Sequence, residues 1–329
     1  MMRFGISTLF ILSMTACALD EVETSTGEQA GSNLQGSNLQ GVSLQGMTVA
    51  NATMQGFRSA GASLGGASLT NLRVERGELI AEQGSVTLRG TALAGAQLQA
   101  QVRTSGSTTA LLDYRIAGVE PELSSYDPTQ TGSTFLYRIE QWVADSSSWQ
   151  PACGADLDGR HVAIPLAATW DEHGARAESS SLFTLGCTTG VIAKCYRWGY
   201  RPWVTGYGDL VAMHWTCTRL ARADYCGDGV SHTRDGTLIN VWDTLPPPGP
   251  VQSHGETPAG MTLEAAWNTG GAVCFSHPRW LTADPFTGVC ADRVIPPDLG
   301  GVACDAVPAA NPLPSQATMF NESLVNIAP

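Results

Sequence analysis

Eight cysteines, Cys153, Cys187, Cys195, Cys217, Cys226, Cys274, Cys290 and Cys304, constrain what this chain can fold into more than any other feature. No two of them stand closer than eight residues. Thiolate zinc sites instead bring their ligands in pairs about two to four residues apart. An even number at wide spacing, in a chain bound for an oxidising compartment, predicts a framework of disulfides, no metal centre and no free thiol to act as a nucleophile. No cofactor is implied.

The compartment is read from the N-terminus. Met1-Met2-Arg3 supplies one positive charge, residues 4–14 are an apolar run, and Thr15-Ala16-Cys17 follows. The run is too short to cross a bilayer as a helix, but it has the layout of an export signal. The stretch Met14-Thr15-Ala16-Cys17 resembles a bacterial lipobox, with Met14 where leucine is usual. That resemblance implies that Cys17 becomes the lipid-modified first residue and that the membrane is a partner through this anchor. Ordinary cleavage after Ala16-Cys17-Ala18 is the alternative, and either route exports the chain and removes Cys17 from the fold. Residues 18–31 are acidic and polar and read as a tether. Ala18 lacks the aspartate that retains lipoproteins at the inner membrane, so an outer-membrane or cell-surface position is expected.

Residues 32–71 divide into eight five-residue units, from SNLQG, SNLQG and VSLQG to ASLGG and ASLTN. Their central positions are Leu34, Leu39, Leu44, Val49, Met54, Ser59, Leu64 and Leu69. The pattern resembles pentapeptide-repeat proteins, which implies a short β-helix. Eight units are few for a self-supporting stack, and the competing reading is a Gly/Ser/Gln-rich spacer, with a coil span of roughly 40 Å for residues 18–71.

From Leu72 onward the period becomes two. Residues 72–75, 78–81 and 85–88 read as short strands, 96–102 and 110–119 as a hairpin, and 135–143 as the clearest strand. Residues 161–170 and 237–242 are further strand candidates. Two helices lie among the cysteines. The first opens at Thr189-Gly190 and carries Cys195. The second runs over residues 210–225, with Leu210, Met213, Cys217, Leu220, Ala221 and Asp224 on one face, and ends at Cys226-Gly227. Cys195 and Cys217 are expected to pair across this helical hairpin. The fold class expected is α+β, mainly antiparallel and locked by disulfides. A β-rich segment covers residues 72–119, a disulfide-rich domain 120–304, and a tail 305–329.

Charge excludes one class of partner. The net charge is −12, the basic residues number 18, and Lys194 is the only lysine, so the clustered positive charge that nucleic acid requires is missing. No segment after the signal has the roughly 20 apolar residues of a membrane helix.

The segment His214-Trp215-Thr216-Cys217-Thr218-Arg219-Leu220-Ala221-Arg222-Ala223-Asp224-Tyr225-Cys226-Gly227-Asp228-Gly229 resembles the defining motif of the ADYC-domain family, whose name spells residues 223–226. The flanks 192–203 and 231–237 agree, and the resemblance covers roughly residues 120–290. It implies an exported protein and supplies no reaction. Around the motif stand Asp224, Tyr225, Asp228, His232, Arg234, Asp243, His277 and Arg279. A hydrolase could use Asp224, His232 and His277 as carboxylate and general base. No Gly-x-Ser-x-Gly or His-Glu-x-x-His pattern accompanies them. Asp224 is therefore expected to be structural, bonding backbone amides and Arg222 or Arg234. The aromatics Trp198, Tyr200 and Trp203 are dense enough to form a platform for a carbohydrate or a protein at the cell surface if exposed, and fill a core if buried, which is the commoner fate. The function expected is that of a surface lipoprotein with a binding or structural domain, and the secreted hydrolase is the alternative.

Overall fold

Short antiparallel strands, some alternating between a buried and an exposed face and some buried on both, build the first half of the molecule. The computed structural model describes residues 45–47, 49, 51–104, 108–122, 134–234, 237–245, 260–281, 286, 289–291, 304 and 317–327. In chain order the first strands are β1 (Ala52–Arg58), a hairpin of β2 (Ser63–Leu64) and β3 (Ala67–Ser68), and a meander of β4 (Thr70–Glu75), β5 (Glu78–Gln83) and β6 (Val86–Arg89). A 3-10 turn leads to β7 (Gln97–Thr104), β8 (Thr109–Pro121), β9 (Phe135–Val143), β10 (Ser148–Pro151) and β11 (Ala163–Leu166). After the hairpin β12 (Thr169–Trp170) and β13 (Arg176–Ala177) comes β14 (Leu182–Cys187).

Six of these close a barrel. Antiparallel pairing runs β1, β7, β8, β9, β11, β14 and returns to β1, which pairs with both β7 and β14. Along β7, Leu98, Ala100 and Val102 are buried, while Gln97, Gln99 and Gln101 point outward. Closure leaves neither β7 nor β14 with an open edge. Phe57 on β1 fills the interior against Tyr114, at 5.0 Å between ring centroids, and Phe183, at 5.9 Å. The meander covers one end of the barrel, where the Leu79 amide donates to the Tyr137 hydroxyl at 2.8 Å.

The second half packs against one side of this barrel. Strand β11 is buried along its whole length: Ala163 faces the barrel interior, and Ile164 and Leu166 face a second core built on two helices. These are α1 (Val191–Arg197), buried throughout, and α2 (Leu210–Arg222). Behind α2 stands an antiparallel sheet of β15 (Ile239–Asp243), β16 (Thr262–Asn268), β17 (Gly271–Phe275) and β19 (Met319–Ser323), in the order β15-β19-β16-β17. A parallel pair joins β18 (Trp280–Leu281) to β20 (Asn326–Ile327).

Four disulfides pin these layers: Cys153–Cys187 at the barrel, Cys195–Cys217 between the helices, Cys226–Cys290 and Cys274–Cys304. The helical pair meets with 5.8 Å between Cα atoms, as the hairpin reading requires. This framework is consistent with an extracellular protein. No helix among the described residues is long and apolar enough to cross a membrane.

Several expectations need correction. The described part of the repeat forms no β-helix: it supplies β1 and the β2–β3 hairpin, with Met54 and Leu69 buried against the barrel core. The units over residues 32–44, the tether and Cys17 lie outside the described residues. The boundary drawn near residue 120 falls on β8, a barrel stave that ends at Pro121. Residues expected as a tail provide β19, which lies between β15 and β16 because Phe320 and Met319 are buried there.

Candidate functional site

The motif begins at His214 within α2 and runs past its last turn. Arg219 and Arg222 are buried there, and the helix stops at Ala223, which adopts a left-handed conformation with φ of 52°. The Ala223 and Asp224 amides donate to the Leu220 and Arg219 carbonyls, each at 3.0 Å, in the manner of a glycine-type helix terminus. The helix thus ends three residues earlier than its apolar pattern suggests, because Asp224 turns back. Two glycines make the turn tight. A Cβ on Gly227 would lie 2.1 Å from the Gly270 oxygen, and one on Gly229 2.5 Å from the Glu172 oxygen. Both have positive φ, so only glycine serves at either place.

Asp224 is wholly buried. Its Oδ2 accepts from Arg219 Nη1 at 2.5 Å, and both oxygens accept from the Gly229 amide at 3.1–3.2 Å. Arg219 also donates to the carbonyls of His173 and Thr269, and Arg222 donates to that of Gly229. Burial pushes the Asp224 carboxyl above the ordinary aspartate range, and Arg219 and Arg222 draw it back in part. The expected amide bonds are present, and the principal arginine is Arg219, one helical turn back, rather than Arg222 or Arg234.

A second buried pair lies beneath the tyrosine of the motif. Arg279 gives five bonds: Nε and Nη2 to Glu264 at 2.9 Å, Nη2 to the Leu220 carbonyl at 3.0 Å, and Nη1 to the Ala221 carbonyl and the Thr233 hydroxyl at 3.2 and 3.1 Å. That occupies every donor of a guanidinium. Two of the bonds cap the C-terminal carbonyls of α2, where positive charge also suits the helix dipole. The Glu264 carboxylate also accepts the Tyr225 hydroxyl at 3.0 Å and Asn321 Nδ2 at 2.8 Å. Burial opposes its ionisation, but Arg279 and the neighbouring donors hold it below the usual glutamate range. The Tyr225 ring stacks on Trp267 at 5.3 Å and on Phe286 at 4.7 Å, and its hydroxyl accepts the Arg279 amide.

Among the other candidates, His232 and Asp228 lie near enough to Asp224 to interact with it electrostatically. His232 packs against Tyr225 and Phe286, at 5.5 and 5.1 Å between centroids, and burial lowers its pKa. His277 Nε2 meets the Thr262 hydroxyl at 2.9 Å, and Nδ1 meets the Pro278 carbonyl at 3.2 Å. Asp228 accepts the Val230 amide, Arg234 lies over the Trp280 ring, and Asp243 accepts the Tyr200 hydroxyl. No hydrogen bond joins Asp224 to either histidine among the described residues. Among the described residues no group of three or more metal-ligating side chains is found.

The aromatics around α1 pack into the core rather than form an exposed platform. Trp198 and Tyr200 are buried, and Trp203 packs against Tyr196 at 5.0 Å and over the backbone of Gly77. An exposed tryptophan, Trp142, stands on the barrel instead. Trp142 on β9 lies opposite Trp149 on β10, with ring centroids 5.4 Å apart at 64°, beside an open cleft of about 400 Å³. Both tryptophans were visible in the sequence. The signal lay in their outward register next to Gln97, Gln99 and Asp113, which shows only once the strands are paired.

A family model described as ADYC domain matches residues 90–281, from the turn before β7 to the end of β18. No curated protein sequence and no solved structure matches the chain.

Proposed function

This chain belongs to the ADYC-domain family, and from that premise we propose that it is a lipid-anchored protein of the bacterial cell surface whose disulfide-locked domain binds a ligand rather than transforming one. The observation that carries the reading is the saturation of the motif. Asp224 and Arg219 in the motif, and the Glu264–Arg279 pair beneath its tyrosine, are buried and bonded to one another, to helix carbonyls and to turn amides. Groups so engaged hold a backbone in place and are not free to meet a substrate. Anchoring rests on the lipobox-like Met14-Thr15-Ala16-Cys17, followed by an acidic tether that sets the domain away from the membrane. The multiple acyl chains of a bacterial lipoprotein hold firmly where one chain binds marginally.

The test has two arms. Mass spectrometry should find an acylated Cys17 at the mature N-terminus, and Cys17→Ser should release the chain from membranes or block its processing. An unmodified start at Leu19 would contradict the anchor. In a broad hydrolase screen, His232→Ala and His277→Ala should behave as wild type. An activity lost in either variant at an unchanged melting temperature would overturn the binding reading in favour of an enzyme.

A further inference from the structure

Strand register places a row of polar side chains on the outer wall of the barrel, facing two tryptophans. Gln99 pairs with Asp113 across β7 and β8, Gln97 pairs with Ser63 on β2 and with Arg115 on β8, and Trp142 pairs with Trp149. Because outward residues alternate with the buried Leu98, Tyr114 and Ile139, all of these point to the same side of the sheet. Trp142, Trp149, Gln97, Gln99, Asp113 and Ser63 line the cleft of about 400 Å³, a volume at the small end of ligand sites.

The cleft is held ready by its surroundings. Arg58 Nη1 donates to Gln99 Oε1 at 3.2 Å, and Gln99 Nε2 donates to Asp113 Oδ1 at 3.3 Å, so the amide is oriented by two partners. Arg115 lies over the Trp149 ring at 4.8 Å and is itself fixed by Glu140, with Nε to Oε2 at 2.6 Å. Trp142 keeps 39% of its surface exposed, which core packing does not explain. Gly61, at φ of +86°, comes close enough to Gln99 that a Cβ would stand 3.0 Å from Oε1, so the rim carries no side chain there.

We infer that this cleft is a carbohydrate-binding site, with Trp142 as the stacking platform and Gln97, Gln99 and Asp113 as the groups that read hydroxyls. A pyranose ring offers a face of weakly positive C–H bonds, which suits the negative face of an indole. Its rim of hydroxyls donates and accepts at once, which suits amides and a carboxylate lying side by side. The named charges cancel, Arg58 and Arg115 against Asp113 and Glu140, so the sugar is neutral. A purely apolar ligand would strand the polar wall formed by Gln97, Gln99, Asp113 and Ser63. The inference deepens the binding reading above by naming a ligand class and its residues.

The experiment follows tryptophan fluorescence and saturation-transfer NMR of the full-length chain in a detergent without a sugar headgroup, titrated with cellotetraose, chitotetraose and maltotetraose. At least one should give a saturable response. That affinity should fall at least tenfold in Trp142→Ala and in Asp113→Ala, two exposed positions whose variants should melt as wild type does. No saturable response to any of the three up to about 10 mM would overturn the site. So would equal binding by both variants, or saturable binding of dodecanoate with all three sugars inert. Acylation of Cys17 and the histidine variants report on anchoring and catalysis without involving this cleft, so its failure is distinguishable from theirs.

Discussion

Replacing Arg279 by lysine keeps the charge and removes the fork. Lysine has three donors where Arg279 makes five bonds, so Glu264 and the last carbonyls of α2 cannot all remain satisfied. Arg279→Lys should cost on the order of 2 kcal/mol of stability in a denaturant titration, and Arg279→Met more, about 3 kcal/mol or above, because it leaves Glu264 buried without a counter-charge. His214 makes a different prediction. It is fully buried on α2, Nε2 meets the Ile192 carbonyl at 2.9 Å, and burial lowers its pKa from 6.5 to about 4, with Arg176 adding to the effect. The unfolded chain therefore takes up the proton first as pH falls. The stability is whole above pH 6.5 and is lost progressively down to about pH 4, a change of roughly 3 kcal/mol. His232, less buried and also lowered, adds a smaller part in the same direction. His214→Gln, which keeps a donor for Ile192, should flatten most of that slope in melts taken from pH 7 to pH 4. An unchanged slope would remove His214 as its cause.

At the scale of elements, what the sequence disclosed was periodicity. The alternation in residues 135–143 and in the hairpin around residues 96–119 became β9, β7 and β8, because one face of each strand is buried and one is exposed over much of its length. The helical spacing of Cys217 with Met213 and Leu220 pointed it inward, toward Cys195 on α1. Non-reducing peptide mapping should recover Cys153–Cys187, Cys195–Cys217, Cys226–Cys290 and Cys274–Cys304. Loss of the helical bridge in Cys195→Ala/Cys217→Ala should lower stability by about 3 kcal/mol, the chain-entropy value for a loop of this size. A map with Cys195 joined to any other cysteine would contradict the packing of α1 on α2. What stayed hidden were places where tertiary contacts override local pattern. Ala223 takes a conformation that local propensity assigns to glycine, and Asp224 finds its arginine at Arg219, across a turn that only the folded backbone makes.

Taken as a whole, the molecule borrows its sixth stave from outside the family match. The match begins at residue 90, yet β1 at residues 52–58 lies between β7 and β14 and closes the barrel. The five-residue repeat could not reveal this, since its Leu/Gly rhythm fits a spacer as well as a strand. A chain begun at residue 72 would uncover the edges of β7 and β14 and the aromatic core around Phe57, and should be aggregated or unfolded on size-exclusion chromatography. A monodisperse, fully stable fragment would mean that β1 is dispensable. Asp224→Asn tests most directly whether the motif is a scaffold. The substitution keeps shape and one acceptor but leaves Arg219 buried with its charge uncompensated. A thermal melt beside a hydrolase screen should show destabilisation of about 2 kcal/mol or more and no activity specific to wild type. An unchanged melting temperature together with an activity present in wild type and absent in the variant would contradict it.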